Sequence, residues 1–337
     1  MTNSGVRLSV IIPGYNNSQE YWERCIRSVM GNIGSNDEIF CVDDGSSVRP
    51  QFLNDFAAKD SRIHVLFLPE NVGLPSARNA ALELARGEYV TFVDSDDELI
   101  PGIYAVALSA LCENRVDIAV FGVESIWVNE RLHKVNVPPQ DWCGILSVEL
   151  VKSLYDNMVL NYAWNKVYRR DFLTDNRLRF DKDGVPCEDI IFILKCILSR
   201  AKWFFVRQVG IKYYRSHNTL LSRYKSTYVN GTRLANEAWR KYKEAERGEC
   251  VLGKIGEITD AELMAGEWDN IWRLSSPYSY RERFVFAREH HELYSGAVYV
   301  FFIRKLVYSF VRKWFYVRPV QRWHIKRTYL DAKDYCG

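Results

Sequence analysis

The chain has 337 residues, 45 Lys+Arg against 42 Asp+Glu, and is 47% hydrophobic and 14% aromatic. Such a length calls for one large domain or two modest ones with a well-buried core, and the composition excludes a disordered or low-complexity protein. A net charge of +3 is too small to imply a nucleic-acid partner. Residues 7–12 are apolar and β-branched and predict a strand, followed by a helix over Gln19–Met30. Next come a strand at Glu38–Asp43, a helix over 51–59, a strand at Ile63–Phe67, a helix over 75–86 with proline in its first turn, and a strand at 88–93. This alternation predicts βαβ units and an α/β fold, with a mostly parallel, Rossmann-like central sheet flanked by helices. Past residue 100 the sequence predicts a strand at 117–123, a helix over 190–198 and a short strand near 210–214. From 225 onward helical patterns dominate, and no internal repeat is present.

Ligands of such sheets bind beyond the C-terminal ends of the strands. Those ends carry Pro13-Gly14-Tyr15-Asn16, then Asp43-Asp44-Gly45-Ser46, then Asp94-Ser95-Asp96-Asp97. Two carboxylates about 4 Å apart repel by roughly 4 kcal/mol at an effective dielectric of ~20. A hard divalent cation reverses that sign, and the alternative is a solvated acidic turn. Glu188-Asp189 precedes an apolar helical stretch; it either complements the helix dipole or supplies a carboxylate that takes a proton. His217 is a lone histidine, structural or metal-ligating. Arg78-Asn79 sits early enough in its helix to meet phosphates. Gly248–Lys254 has P-loop spacing, but Ile255 replaces the Ser/Thr that would bind Mg²⁺.

The eight cysteines form no C-x-x-C pair and predict reduced thiols. The N-terminus has no leader pattern, and no uncharged stretch reaches the roughly 18–20 residues that span a bilayer. The expected location is therefore cytoplasmic. Charge is uneven: 225–337 carries 20 Lys+Arg and 14 Asp+Glu, leaving 1–224 net negative. Residues 293–330 hold eight Lys/Arg, eleven aromatics and no Asp/Glu. On a helix, Arg304, Lys305, Arg312 and Lys313 oppose an apolar face. That pattern suits either an anionic membrane surface, peripherally bound, or a terminal helix packed on the catalytic domain.

Six segments together resemble the family-2 inverting glycosyltransferases of GT-A fold. They are Leu8–Asn16, Val42-Asp43-Asp44-Gly45-Ser46, Asn71–Asn79, Gly87–Asp97, Trp164-Asn165-Lys166-Val167-Tyr168-Arg169-Arg170 and Glu188-Asp189-Ile190-Ile191-Phe192. The resemblance covers roughly 6–222. It implies a catalytic domain over 1–224, with a nucleotide-binding half to about 100 and an acceptor-binding half over 101–224, and a helical, basic region over 225–337. It implies a hexosyl- or N-acetylhexosaminyl-transferase moving a sugar from a nucleotide diphosphate donor, expected to be a UDP-sugar, to a hydroxyl of a glycan or lipid-linked acceptor in cell-surface polysaccharide synthesis.

By the same resemblance, Pro13, Tyr15, Asn16, Asp43 and Asp44 line the nucleoside pocket, with Asp44 on the base, and Arg78 and Asp94 meet the diphosphate. Asp94, Asp96, Asp97 and His217 are the expected ligands of Mn²⁺ or Mg²⁺. Asp189 matches the base, with Glu188, Trp164 and Lys166 on the acceptor side. The competing readings are a nucleotidyltransferase and a non-catalytic sugar-nucleotide-binding module. The former wants a Gly-rich basic loop after the first strand, where this chain has Pro13-Gly14-Tyr15-Asn16-Asn17.

Overall fold

The computed structural model describes residues 5–127, 132–138, 140–146, 159–182 and 188–215. His217, the region 225–337 and its four cations lie outside the described residues.

Strand β1 (Leu8–Gly14) is buried along its whole length. So is β2 (Glu38–Asp43). Continuous apolar runs are what parallel strands covered on both faces require. Between them runs α1 (Gln19–Met30), started by Ser18, whose hydroxyl accepts the Tyr21 N–H at 3.4 Å; it buries Trp22, Cys25, Ile26 and Val29. Then follow α2 (Phe52–Lys59), β3 (Ile63–Phe67), α3 (Leu74–Leu84) and β4 (Tyr89–Phe92). These elements match the sequence expectation to within a residue or two at most ends.

The second half adds more than periodicity foretold: β5 (Glu98–Leu99), α4 (Ile103–Asn114), β6 (Ile118–Trp127), β7 (Leu132–Asn136), β8 (Trp142–Ile145), β9 (Lys166–Arg169), a helix at Arg170–Asp175, a helix at Glu188–Leu198, and β10 (Lys202–Arg215). Sheet order is β3-β2-β1-β4-β9-β6-β10-β5, with β7 on β6 and β8 on β10. The β1–β2, β2–β3, β1–β4 and β6–β10 pairings are parallel. The antiparallel pairings all involve strands inserted after β4, which makes the sheet mixed.

Two features of this topology place the site. Strand order reverses at β1, whose neighbours are β2 and β4, opening a crevice beyond Gly14 and Phe92. Strand β9 is antiparallel to β4, so its first residue, Lys166, enters at the edge where β4 ends, and it pairs with Val120 early in β6. Residues 159–165 therefore lie at the same rim as the aspartate turn.

At that rim Gly14 leaves no room for a side chain: a Cβ there would collide with the Trp22 ring and Ser95 Oγ. The chains following β1 and β4 can approach only because this residue is glycine. Gly45, at φ +66°, turns the chain where it crosses the Glu70–Asn71 backbone.

Candidate active site

The loop after β1 is tied to the loop after β2. Asn16, in the left-handed region at φ +53°, donates its N–H to Ser46 Oγ at 2.8 Å, and its Oδ1 accepts the Ser47 N–H at 2.9 Å. Asp44 donates its N–H to the Gly14 carbonyl at 2.9 Å. Pro13 is buried, Tyr15 half-buried and Asn16 exposed. Asp43 is buried beneath the Ser46 N–H.

Asp44 is bonded to the loop that follows β3. Its Oδ1 accepts the Val72 N–H at 2.9 Å; its Oδ2 accepts the Gly73 N–H at 3.0 Å and the Asn71 amide at 3.1 Å. Burial pushes this carboxyl up, and the two backbone donors partly offset that. Both oxygens serve the loop that starts α3 and fix the carboxylate in place beyond β2.

From α3, Arg78 enters the crevice with no exposed surface. Its Nη1 donates to Asp189 Oδ1 at 2.6 Å and its Nη2 to Asp94 Oδ1 at 2.8 Å. The guanidinium lies 5.1 Å from the Phe180 ring centroid, and its Nε is buried with no partner among the described residues. Burial alone would depress this cation, but Asp189 and then Asp94 outweigh it, and its pKa is raised. The next residue, Asn79, pairs with the backbone of Phe180 in both directions, donating at 2.8 Å and accepting at 3.0 Å. One turn of α3 thus holds both Asp189 and the segment leading toward it.

The three aspartates of the turn are not equivalent. Asp94 keeps 25% of its side chain exposed beside Arg78. Burial raises its pKa, and Arg78 counteracts that. Asp96 is half-buried and is pushed up to about 6 by burial and by Asp94. Asp97 is fully enclosed: its Oδ1 accepts the Tyr214 N–H at 3.1 Å and fastens β10. Burial drives its pKa well up, with Asp96 adding to the shift. Asp97 is thus the least accessible of the three expected metal ligands, and its Oδ2 is buried with no partner among the described residues.

Arg24, on α1, carried no sequence signal. It donates to the Asp96 carbonyl and lies 4.0 Å from the Tyr214 ring centroid and 5.2 Å from that of Tyr21. It adds a second positive charge near the turn, beside Asp96 and Asp97, where Arg78 already pairs with Asp94.

Asp94 and Asp96 are hard oxygen donors whose mutual repulsion a divalent ion would relieve. Two carboxylates completed by phosphate oxygens is a normal Mg²⁺ set, so the residues present fit the expected metal. Among the described residues no three His, Cys, Asp or Glu side chains converge as a ready-made site.

Glu188, 8% exposed, has a buried Oε2 with no partner among the described residues, and is pushed up to about 8 by burial and by Asp189. Trp164 and Lys166 are enclosed, at 2% and 0% exposure. Both lie behind the surface on the side where the acceptor is expected. No helix of the described residues is long and apolar enough to cross a membrane, and the five described cysteines are free thiols.

An acidic turn beside the point where the sheet switches direction, with a second carboxylate held across the crevice, is the arrangement of an enzyme active site in an open α/β sheet. Residues 9–176 match the family described as Glycosyl transferase family 2. The uncharacterized glycosyltransferase YibD of Escherichia coli (strain K12) is 30% identical over 266 residues, 72% of this chain and 74% of its own. A poly(ribitol-phosphate) beta-glucosyltransferase of Bacillus spizizenii is 28% identical over 204 residues, 58% of this chain and 30% of its own. The structure of S. aureus TarS 1-349 in complex with UDP-GlcNAc is similar at TM-score 0.59 and 20% identity, over 80% of this chain and 73% of that one. At that identity the likeness carries the fold, the GT-A arrangement. The chain belongs to glycosyl transferase family 2, and it is a glycosyltransferase.

Proposed function

We propose that the protein is a metal-dependent inverting enzyme that moves a hexose or N-acetylhexosamine from a UDP-sugar to a hydroxyl of a glycan or lipid-linked acceptor in cell-surface polysaccharide synthesis. The observation that carries this reading is the Arg78 bridge, which brings Asp94 and Asp189 into one cleft. Relatives named for cell-surface polymers and a GT-A neighbour solved with UDP-GlcNAc support the donor and the setting.

In this reading the nucleoside lies beyond β1 and β2, along Pro13, Tyr15, Asn16 and Asp43. Arg78 faces the diphosphate, with N–H groups beyond the two already engaged. Asp94 and Asp96 would hold Mn²⁺ or Mg²⁺, which would supply positive charge against the negative charge of the departing phosphate. Asp189 accepts the proton of the acceptor hydroxyl as its oxygen bonds to the anomeric carbon from the face opposite the leaving group. The bond to the diphosphate oxygen breaks, and UDP leaves with that electron pair. Inversion needs one base and no protein nucleophile.

The basic cluster Arg304, Lys305, Arg312 and Lys313 would draw the enzyme to the cytoplasmic face of an anionic membrane. Co-sedimentation with anionic liposomes, lost on charge reversal of these four, tests that part. For the chemistry, a panel of nucleotide sugars with Mn²⁺ or Mg²⁺ is screened for thermal stabilisation, and the product is then examined for anomeric configuration. An inverted glycoside is expected. A sugar nucleotide as product, or no turnover of any donor, overturns the reading.

A further inference from the structure

Lys166 has no exposed surface, yet its ammonium donates to the Val159 carbonyl at 3.1 Å, to Asn165 Oδ1 at 2.6 Å and to the Tyr162 carbonyl. An ammonium has three protons, and here each finds an oxygen. Asn165 adds its own amide bonds to the Phe121 carbonyl at 2.9 Å and the Val159 carbonyl at 3.0 Å. Thr91 Oγ1 donates to the Lys166 carbonyl at 2.7 Å, which fixes the assembly three residues before Asp94. Residues 159–165 are thus wound round a buried cation at the rim of the site. Burial pulls that cation down to about 7, against the attraction of Asp189.

That winding builds an aromatic stack. Tyr162 lies on Trp164 with ring centroids 4.4 Å apart and planes at 20°. Tyr213, from the end of β10, packs 5.1 Å from Trp164 and 5.7 Å from Tyr162. Trp164 is enclosed, whereas Tyr162 and Tyr213 are only partly buried. Tyr162 therefore keeps part of its surface accessible while Trp164 backs its ring. In sheet order this stack is on the β9–β6–β10 side of β4, away from Gly14 and Asp44 on the β1–β2 side. A rigid aromatic face suits the C–H-bearing face of a sugar ring, since the ring's negative face attracts weakly positive hydrogens. An open-chain alditol has no such flat apolar face.

We propose that Tyr162, stacked on Trp164 and positioned by Lys166, is the platform for the terminal pyranose of the acceptor, so that the acceptor ends in a ring sugar rather than an alditol phosphate. This rests on the glycosyltransferase reading above and specifies its acceptor. The test uses the full chain, the UDP-sugar that it turns over, a panel of methyl hexosides, and ribitol 5-phosphate. Tyr162→Ala should raise KM for the methyl hexoside about tenfold, as loss of one stacking contact implies, while donor KM stays within about twofold; Tyr162→Phe should keep the parent value. Lys166→Met, with Tyr162 intact, should raise the same acceptor KM; should it fail to fold, the Tyr162 pair decides. An unchanged acceptor KM in Tyr162→Ala, an equal rise in donor KM, or ribitol 5-phosphate used as well as any hexoside overturns the platform. Failure of the parent to turn over any nucleotide sugar overturns the glycosyltransferase reading instead.

Discussion

Arg78 donates to Asp189 across 2.6 Å, joining residues 111 apart in the sequence. Through its other terminal nitrogen the same guanidinium reaches Asp94. A planar fork with fixed donors can serve two carboxylates at once, which a point-like ammonium cannot. Arg78→Met leaves both acids without a counter-charge in an enclosed place, and removing one partner of a buried pair costs about 3–5 kcal/mol. The melting temperature should fall by several degrees and sugar transfer should be lost. Arg78→Lys should restore part of the stability and little of the transfer. A fully stable Arg78→Met would show that the bridge contributes nothing to the fold.

Asp189→Asn keeps the shape and removes the proton acceptor. Turnover should drop about 10²–10⁴-fold, while donor affinity, read by calorimetry, changes only a few-fold. Loss of donor binding in this variant would assign Asp189 to holding the donor rather than to accepting a proton.

Glu188 gives a pH dependence. Its folded pKa is raised to about 8 by burial and by Asp189, against an ordinary value of 4.5. Between those values the folded protein binds more protons than the unfolded chain, so stability falls as pH rises through that window. Glu188→Gln removes the titration. The variant's melting temperature should gain on the parent's from pH 5 to pH 8.5, and a constant gap would refute the raised pKa.

Asp44→Asn replaces a carboxylate that accepts two backbone N–H groups with an amide that turns a donor toward one of them. The cost should be about 1–3 kcal/mol. Because the Asn71–Gly73 loop leads into α3 and Arg78, donor KM should rise as well. A lower melting temperature with donor KM unchanged would separate this loop from the donor site.

The parallel half of the sheet was legible because its strands are buried on both faces and read as short apolar runs, each broken by a polar turn. Helix α4 was not. It buries Ile103, Tyr104, Ala107, Leu108, Ala110 and Leu111, so apolar residues occupy too much of its circumference for a clear 3.6-residue stripe. Strand β9 begins with a lysine and ends with an arginine, and only oxygens gathered from 159–165 make burial of that lysine tolerable. In the site, Asp94, Asp96 and Asp97 look alike in sequence. What distinguishes Asp97 is the arrival of Tyr214 from β10, 117 residues later. The convergence of Asp94 and Asp189 likewise follows from topology, and the family resemblance rather than local spacing anticipated it.

Neighbouring residues on one turn of α3 clasp the two flanks of a single segment: Asn79 pairs with Phe180, and Arg78 with Asp189. Each flank has its own anchor, and the two anchors are consecutive residues of one helix, so a substitution that tilts α3 should carry Phe180 and Asp189 together rather than slide one past the other.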